Sequence, residues 1–92
     1  MLRLDIHKDI VKELQSMERK HAGQVALKLI GLLANPHPQD AEKLSGTRGN
    51  YLRADVGEYR IVYAIEHDLL RVVLIGKRND DEIYKKLRHK NL

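Results

Sequence analysis

Leu2, Leu4 and Ile6 alternate with Arg3 and Asp5, the period-two pattern of a short strand with one buried face. From about Asp9 the spacing becomes helical. Ile10, Leu14 and Met17 recur on one side with Val11 beside them, and Lys12, Glu13, Glu18 and Arg19 cover the other. His21-Ala22-Gly23 is expected to interrupt this helix. A second, more buried helix carries Val25, Leu27, Leu29, Ile30, Leu32 and Leu33, with Lys28 its only charge. It ends before Asn35-Pro36-His37-Pro38, because the residue ahead of a proline is driven out of the helical region. Two such helices a few residues apart should lie antiparallel and bury their apolar stripes on a sheet.

Asp40 to Asn50 reads as a loop. Three strands follow, Tyr51 to Val56, Glu58 to Glu66, and Leu69 or Leu70 to Ile75, divided by turn signals at Gly57 and His67-Asp68. Their short connections predict an antiparallel meander. Leu52, Ala54 and Val56 point toward the helices, whereas Tyr51, Arg53 and Asp55 point to the other face, which is expected to stay open. The run Asn79-Asp80-Asp81-Glu82 puts a capping residue and acids at an electropositive helix start, and Ile83 and Leu87 are four apart, so a terminal helix begins there. The predicted fold is α+β: an N-terminal strand, a two-helix hairpin on one face of a mainly antiparallel four-stranded sheet, and a short C-terminal helix.

Ninety-two residues suit one core rather than two, so residues 1–92 are expected to form a single domain. A chain this short buries only about 60–65% of its extended surface, and a partner that covers more would add to a thin stability margin. The absence of Cys excludes disulfides, thiolate metal sites and cysteine nucleophiles, and suits a reducing compartment. Met1 to Glu18 is punctuated by six charges from Arg3 to Glu13, so no signal peptide or membrane span is expected and the cytoplasm is the expected location. A formal charge of +4 favours polyanionic partners.

Five scattered histidines form no i,i+4 pair or carboxylate cluster at metal-ligand spacing, so neither a metal nor any other cofactor is expected. Gly46-Thr47-Arg48-Gly49 lacks the Lys-Ser/Thr ending of a phosphate loop and reads as a turn, and no small-molecule ligand is indicated. What remains is a set of cations on three elements, Arg53, Arg60, Lys77 and Arg78, with Tyr84 on the terminal helix and Arg88 one turn further. Singly, each arginine is a solvated charge and Tyr84 a core-edge aromatic. Together they suit RNA cleavage, which needs a 2′-hydroxyl activated, a pentacoordinate phosphorane neutralised and a 5′-oxygen protonated. At about 4 Å and an effective dielectric near 20, each guanidinium offers roughly 4 kcal/mol of gross Coulomb energy to such a phosphorane. Tyr84 is placed either to move a proton or to stack a base.

Three runs in register, Lys43-Leu44-Ser45-Gly46, Tyr51 to Tyr63 (YLRADVGEYRIVY) and Gly76 to Tyr84 (GKRNDDEIY), resemble the RelE family of bacterial toxins. With the order of elements, the resemblance covers essentially the whole chain. It implies a RelE/ParE-type toxin of a type II toxin-antitoxin system that enters the ribosomal A site and cuts mRNA without metal. Attack by the 2′-hydroxyl would leave a 2′,3′-cyclic phosphate and a 5′-hydroxyl, and a cognate antitoxin would silence the toxin. By the same resemblance Arg60 matches the arginine on the scissile phosphate, Arg78 the one that aids the leaving group, and Tyr84 the tyrosine near the cleaved nucleotide. Arg53, Lys77 and Arg88 are the expected substrate-binding cations. The chain departs from the family at the general base: two strand lysines precede Gly-x-Tyr-Arg in RelE enzymes, whereas Arg53 is the only cation here. Asp55 or the ribosome's RNA would have to assist, although an Asp among arginines also serves as their ion-pair partner. Two other readings stay open, a ParE-like inhibitor of DNA gyrase and a nucleic-acid-binding module without catalysis.

Overall fold

The computed structural model describes residues 1–78 and 82–90. Strand β1 (Arg3–Ile6) leads into helices α1 (Lys8–Ser16) and α2 (Arg19–Ala34). Strands β2 (Glu42–Lys43), β3 (Leu52–Val56), β4 (Tyr59–Glu66) and β5 (Leu69–Lys77) follow, and helix α3 (Glu82–His89) comes last. The sheet order is β1-β5-β4-β3-β2, with β1 parallel to β5 and every other pairing antiparallel. Among the described residues the sheet thus has five strands rather than four. The extra one, β2, is two charged residues long and lies in the stretch expected to be a loop, where no apolar periodicity announces it.

The helix break also differs from expectation. His7 caps α1, its Nδ1 accepting from the Asp9 amide at 3.1 Å, and the chain turns extended at Met17 and Glu18 instead of at His21-Ala22-Gly23. That triplet stays helical because tertiary contact outweighs the propensity of Gly23. The His21 ring meets Tyr59 edge-on with centroids 5.5 Å apart, and its Nε2 stands 3.8 Å from Glu58. The α1–α2 hairpin buries Ile10, Val25, Leu29 and Leu32 against Ala54, Ile61, Tyr63, Leu70, Val72 and Ile75. Leu27 and Ile30 of α2 stay 71% and 56% exposed, so that helix buries one stripe and not its whole apolar surface.

The opposite face of the sheet is not left open. There α3 packs Ile83 and Leu87 on Val62, Leu74 and Leu44, with Tyr51, Val73 and Tyr84 at the edge. The switch in β5 that permits this is a β-bulge. Val72 is opposite Tyr63 but Leu74 is opposite Val62, so Val73 is an extra residue and two positions of even spacing face opposite sides. Val72 therefore joins the hairpin core and Leu74 the α3 core. The expected capping residue Asn79 and acids Asp80 and Asp81 lie outside the described residues.

Tyr63 is fully buried in the hairpin core, and its hydroxyl donates to the Pro36 carbonyl at 2.7 Å. Burial, aided by the charge of Asp40, pushes its phenol up to about 12. Because the folded value is the higher, unfolding releases a proton above the ordinary tyrosine value of about 10, and stability falls as pH rises from there toward 12. Urea melts should show wild type losing on the order of 2 kcal/mol more than Tyr63→Phe across that interval. Parallel pH profiles for the two proteins would refute the assignment.

Candidate active site

The α3-facing side of the sheet collects the charged residues by register. Asp55 pairs directly with Arg60 across β3 and β4, and Arg60 pairs with Gly76 of β5, so these three form one row. Arg53 precedes Asp55 by two on β3 and Arg78 follows Gly76 by two, which keeps both on the same side. Downstream of the bulge at Val73 the phase of β5 is shifted by one. Without that extra residue Lys77, not Arg78, would stand beside Arg60.

The Asp55 carboxylate is the hub. Its Oδ1 accepts from Arg60 Nε at 2.7 Å and its Oδ2 from Arg60 Nη2 at 3.4 Å. Arg78 Nε lies 3.4 Å from Oδ2, and Arg53 Nη1 4.0 Å from Oδ1. The Arg60 hydrogen bond holds the Asp55 carboxyl below its ordinary value against the opposing effect of burial, and the charges of Arg60, Arg78 and Arg53 add to this. The same hydrogen bond raises Arg60, with Tyr84 and Glu42 near enough to contribute electrostatically. A second carboxylate, Glu42 on β2, accepts from Arg53 Nη2 at 2.6 Å. Arg78 is also fixed by backbone: its amide donates to the Glu58 carbonyl at 3.0 Å and its Nη1 to the Gly57 carbonyl at 3.2 Å. Gly57 is in the β3–β4 turn at φ +56°, where a Cβ would meet Gln24 Oε1 at 2.7 Å, so the turn that presents those carbonyls is built for glycine.

Helix α3 packs on β5 at the Gly76 end of this row. A Cβ on Gly76 would stand 3.1 Å from Ile83 Cδ1, so the missing side chain is what lets the helix lie close. Two side chains then bind it to the exposed edge of β5, beyond the reach of β1, which stops opposite Val72. Glu82 accepts from the Lys77 amide at 2.9 Å, and Lys86 donates to the Ile75 carbonyl at 2.7 Å. The Lys77 amide bond keeps the Glu82 carboxyl below its ordinary value. Lys86 further contacts Glu13 of α1 at 3.1 Å and Glu82 at 3.4 Å. Tyr84 lies between Glu82 and Lys86 and is half-buried against the α3 core.

Of the residues singled out from sequence, Arg53, Arg60 and Arg78 thus converge on one carboxylate, and Tyr84 is electrostatically within reach of Arg60. Lys77 is not among them: it pairs with Tyr59, whose ring belongs to the hairpin side. Arg88 is exposed one turn beyond Tyr84 and makes no ion pair among the described residues. Sequence reasoning missed Glu42, Gly76 and the Glu82–Lys86 pair, although the i,i+4 spacing of the last two was visible. Among the described residues no three His, Asp or Glu side chains gather as a metal-binding group. A cavity of about 870 Å³ is lined by Asp5, Tyr51, Glu66, Arg71 and Lys90 among others, and its lining does not include the arginine cluster. Arg71 fills its floor with ion pairs to Asp5 and Glu66, both at 2.9 Å.

A family model described as ParE toxin of type II toxin-antitoxin system, parDE, matches residues 4–82. An Escherichia coli protein described as RelE-like toxin is 31% identical over 85 residues, which cover 89% of this chain and 88% of that one. Among solved structures, a chain of the archaeal RelE–RelB complex from Pyrococcus horikoshii OT3 superimposes with a TM-score of 0.74 at 29% identity, covering 86% of this chain and 97% of that chain. The isolated E. coli RelE toxin superimposes over 100% of both chains with a TM-score of 0.70 at 24% identity, a likeness of fold.

Lys86→Met removes the bond to the Ile75 carbonyl and both carboxylate contacts. Amide exchange in α3 should then speed up about tenfold or more, while the central strand β4 keeps its protection. Unchanged exchange in α3 would mean that Ile83 and Leu87 hold the helix unaided.

Proposed function

The chain belongs to the ParE toxin family, within the RelE/ParE superfamily of type II toxin-antitoxin toxins, and on that footing we propose that it is a metal-independent endoribonuclease that cuts mRNA in the ribosomal A site. One observation supports this reading above the others: three guanidinium groups, from β3, from β4 and from the residue that follows β5, meet on a single carboxylate, with Tyr84 within electrostatic reach of Arg60. A carboxylate and a phosphodiester offer similar pairs of oxygens to an arginine fork. A cluster that can hold Asp55 has the spacing to hold a phosphate.

In this reading Arg60 binds a non-bridging oxygen and stabilises the charge of the phosphorane, and Arg78, fixed by the turn carbonyls, lies toward the departing 5′-oxygen. Tyr84 protonates that oxygen or stacks on the adjoining base. Arg53 is a further phosphate contact on the cluster, Arg88 extends the cationic surface beyond Tyr84, and Lys77 approaches RNA only from the rim. Asp55 is a poor candidate for the base that activates the 2′-hydroxyl, since three arginines hold its carboxyl below its ordinary value. Deprotonation therefore falls to the ribosome's RNA, which would make cleavage ribosome-dependent. An antitoxin partner is supported by relatives solved with RelB, from P. horikoshii and Methanococcus jannaschii. No helix among the described residues is long and apolar enough to cross a membrane. The ParE description of the matching family model favours a second reading, inhibition of DNA gyrase through protein contacts.

In a translating extract, primer extension should reveal new mRNA ends within codons. Arg60→Ala and Arg78→Ala should each lower the cleavage rate about 100-fold or more, with a smaller change in ribosome binding. Tyr84→Phe should slow turnover if the hydroxyl moves a proton and leave it intact if the ring stacks. Growth arrest without new mRNA ends, accompanied by DNA breaks, would replace this reading with gyrase inhibition.

A further inference from the structure

Asp55 occupies the part of Arg60 that a phosphate would use. Arg60 presents Nε and Nη2 as one fork, and both are engaged by the two oxygens of Asp55 at 2.7 and 3.4 Å. A neighbouring pair on two strands would need no more than that. Yet the same carboxylate also draws in Arg78 from the end of β5 and lies within 4.0 Å of Arg53, whose other side is taken by Glu42 at 2.6 Å. Three cations are thus met by two anions, leaving a single net positive charge on these five side chains. The pairing is semi-sheltered, with the Arg60 and Asp55 side chains 17% and 27% exposed, so solvent screens it less than an ordinary surface pair.

We propose that Asp55, seconded by Glu42, is a built-in counter-anion that shuts small free anions out of the arginine cluster and admits an RNA phosphodiester only when contacts elsewhere hold it there. This rests on the reading of the cluster as a phosphate site. A sulfate or a lone nucleotide phosphate must displace Asp55 from the Arg60 fork and then remain beside it, because the backbone of β3 keeps the carboxylate nearby. An isolated anion has no other contact to offset that repulsion. A strand of mRNA clamped by a large ribonucleoprotein does, since its position is already set when the phosphate arrives. The restraint also lowers attraction to bulk RNA, which scales with the number of phosphates neutralised. Asp55 and Glu42 are accordingly specificity-determining residues, through which the cluster distinguishes a presented phosphodiester from a diffusing one.

The test is binding, not cleavage, so its result is separable from whether mRNA is cut. Inorganic sulfate, doubly charged at neutral pH, is titrated into the intact protein at constant ionic strength, followed by the arginine Nε–H resonances. Asp55→Asn should bind sulfate at least tenfold more tightly than wild type, and Asp55→Glu, which keeps the charge, should stay weak. A short single-stranded RNA should bind Asp55→Asn more tightly too, with a salt dependence steeper by about 0.7 per additional phosphate contact. Adding Arg60→Ala to Asp55→Asn should cancel both gains. Glu42→Gln alters an exposed carboxylate with little packing and serves if Asp55→Asn does not fold; it should raise sulfate affinity two- to threefold. Sulfate affinity unchanged or weakened in a folded Asp55→Asn, or unchanged in Glu42→Gln, would overturn the proposal.

Discussion

One extra residue in β5 governs what that strand contributes to the α3 side of the sheet. Strand side chains alternate, so an insertion of one exchanges the two faces for every position beyond it. Up to Val72 the strand feeds the hairpin core; from Leu74 onward its even positions serve the opposite face. Leu74 thereby floors the α3 core, Gly76 gives Ile83 room to approach, and Arg78 arrives beside Asp55. Three features of the candidate site depend on the same dislocation in the ladder.

How much of this was legible in the sequence follows from which rule each residue obeys. Arg53 and Asp55 share a face by simple alternation. Arg60 joins them by hairpin arithmetic, because a two-residue turn at Gly57-Glu58 places Asp55 opposite Arg60. Those relations are local and could be read. Lys77 and Arg78 are both candidate cations by sequence and only the resemblance separates them, since the nearly unbroken apolar run Leu69 to Ile75 conceals where the extra residue lies. The two-residue strand β2, all charge, has no pattern to detect. The helical course through His21-Ala22-Gly23 depends on Tyr59 and Glu58, far along the chain, and propensity alone could not foresee it.

The cationic cluster also differs from what net charge suggests. Counting arginines predicts an open positive face; the structure shows the same arginines largely answered by Asp55 and Glu42. A formal excess of +4 therefore says little about local potential here. What distinguishes the cluster is geometry, several forks turned to one point, and that survives when the summed charge is nearly balanced.

The attachment of α3 to β5 has a consequence for solubility. Among the described residues no strand covers the outer side of β5 beyond Val72, and an uncovered run of amides and carbonyls invites another chain to pair with it. Glu82 and Lys86 stand in for the missing neighbour, one accepting from an amide and the other donating to a carbonyl, at the spacing of a helical turn. The helix thus does the work of a protecting edge strand, and a molecule that lost it would present β5 as a template for self-association.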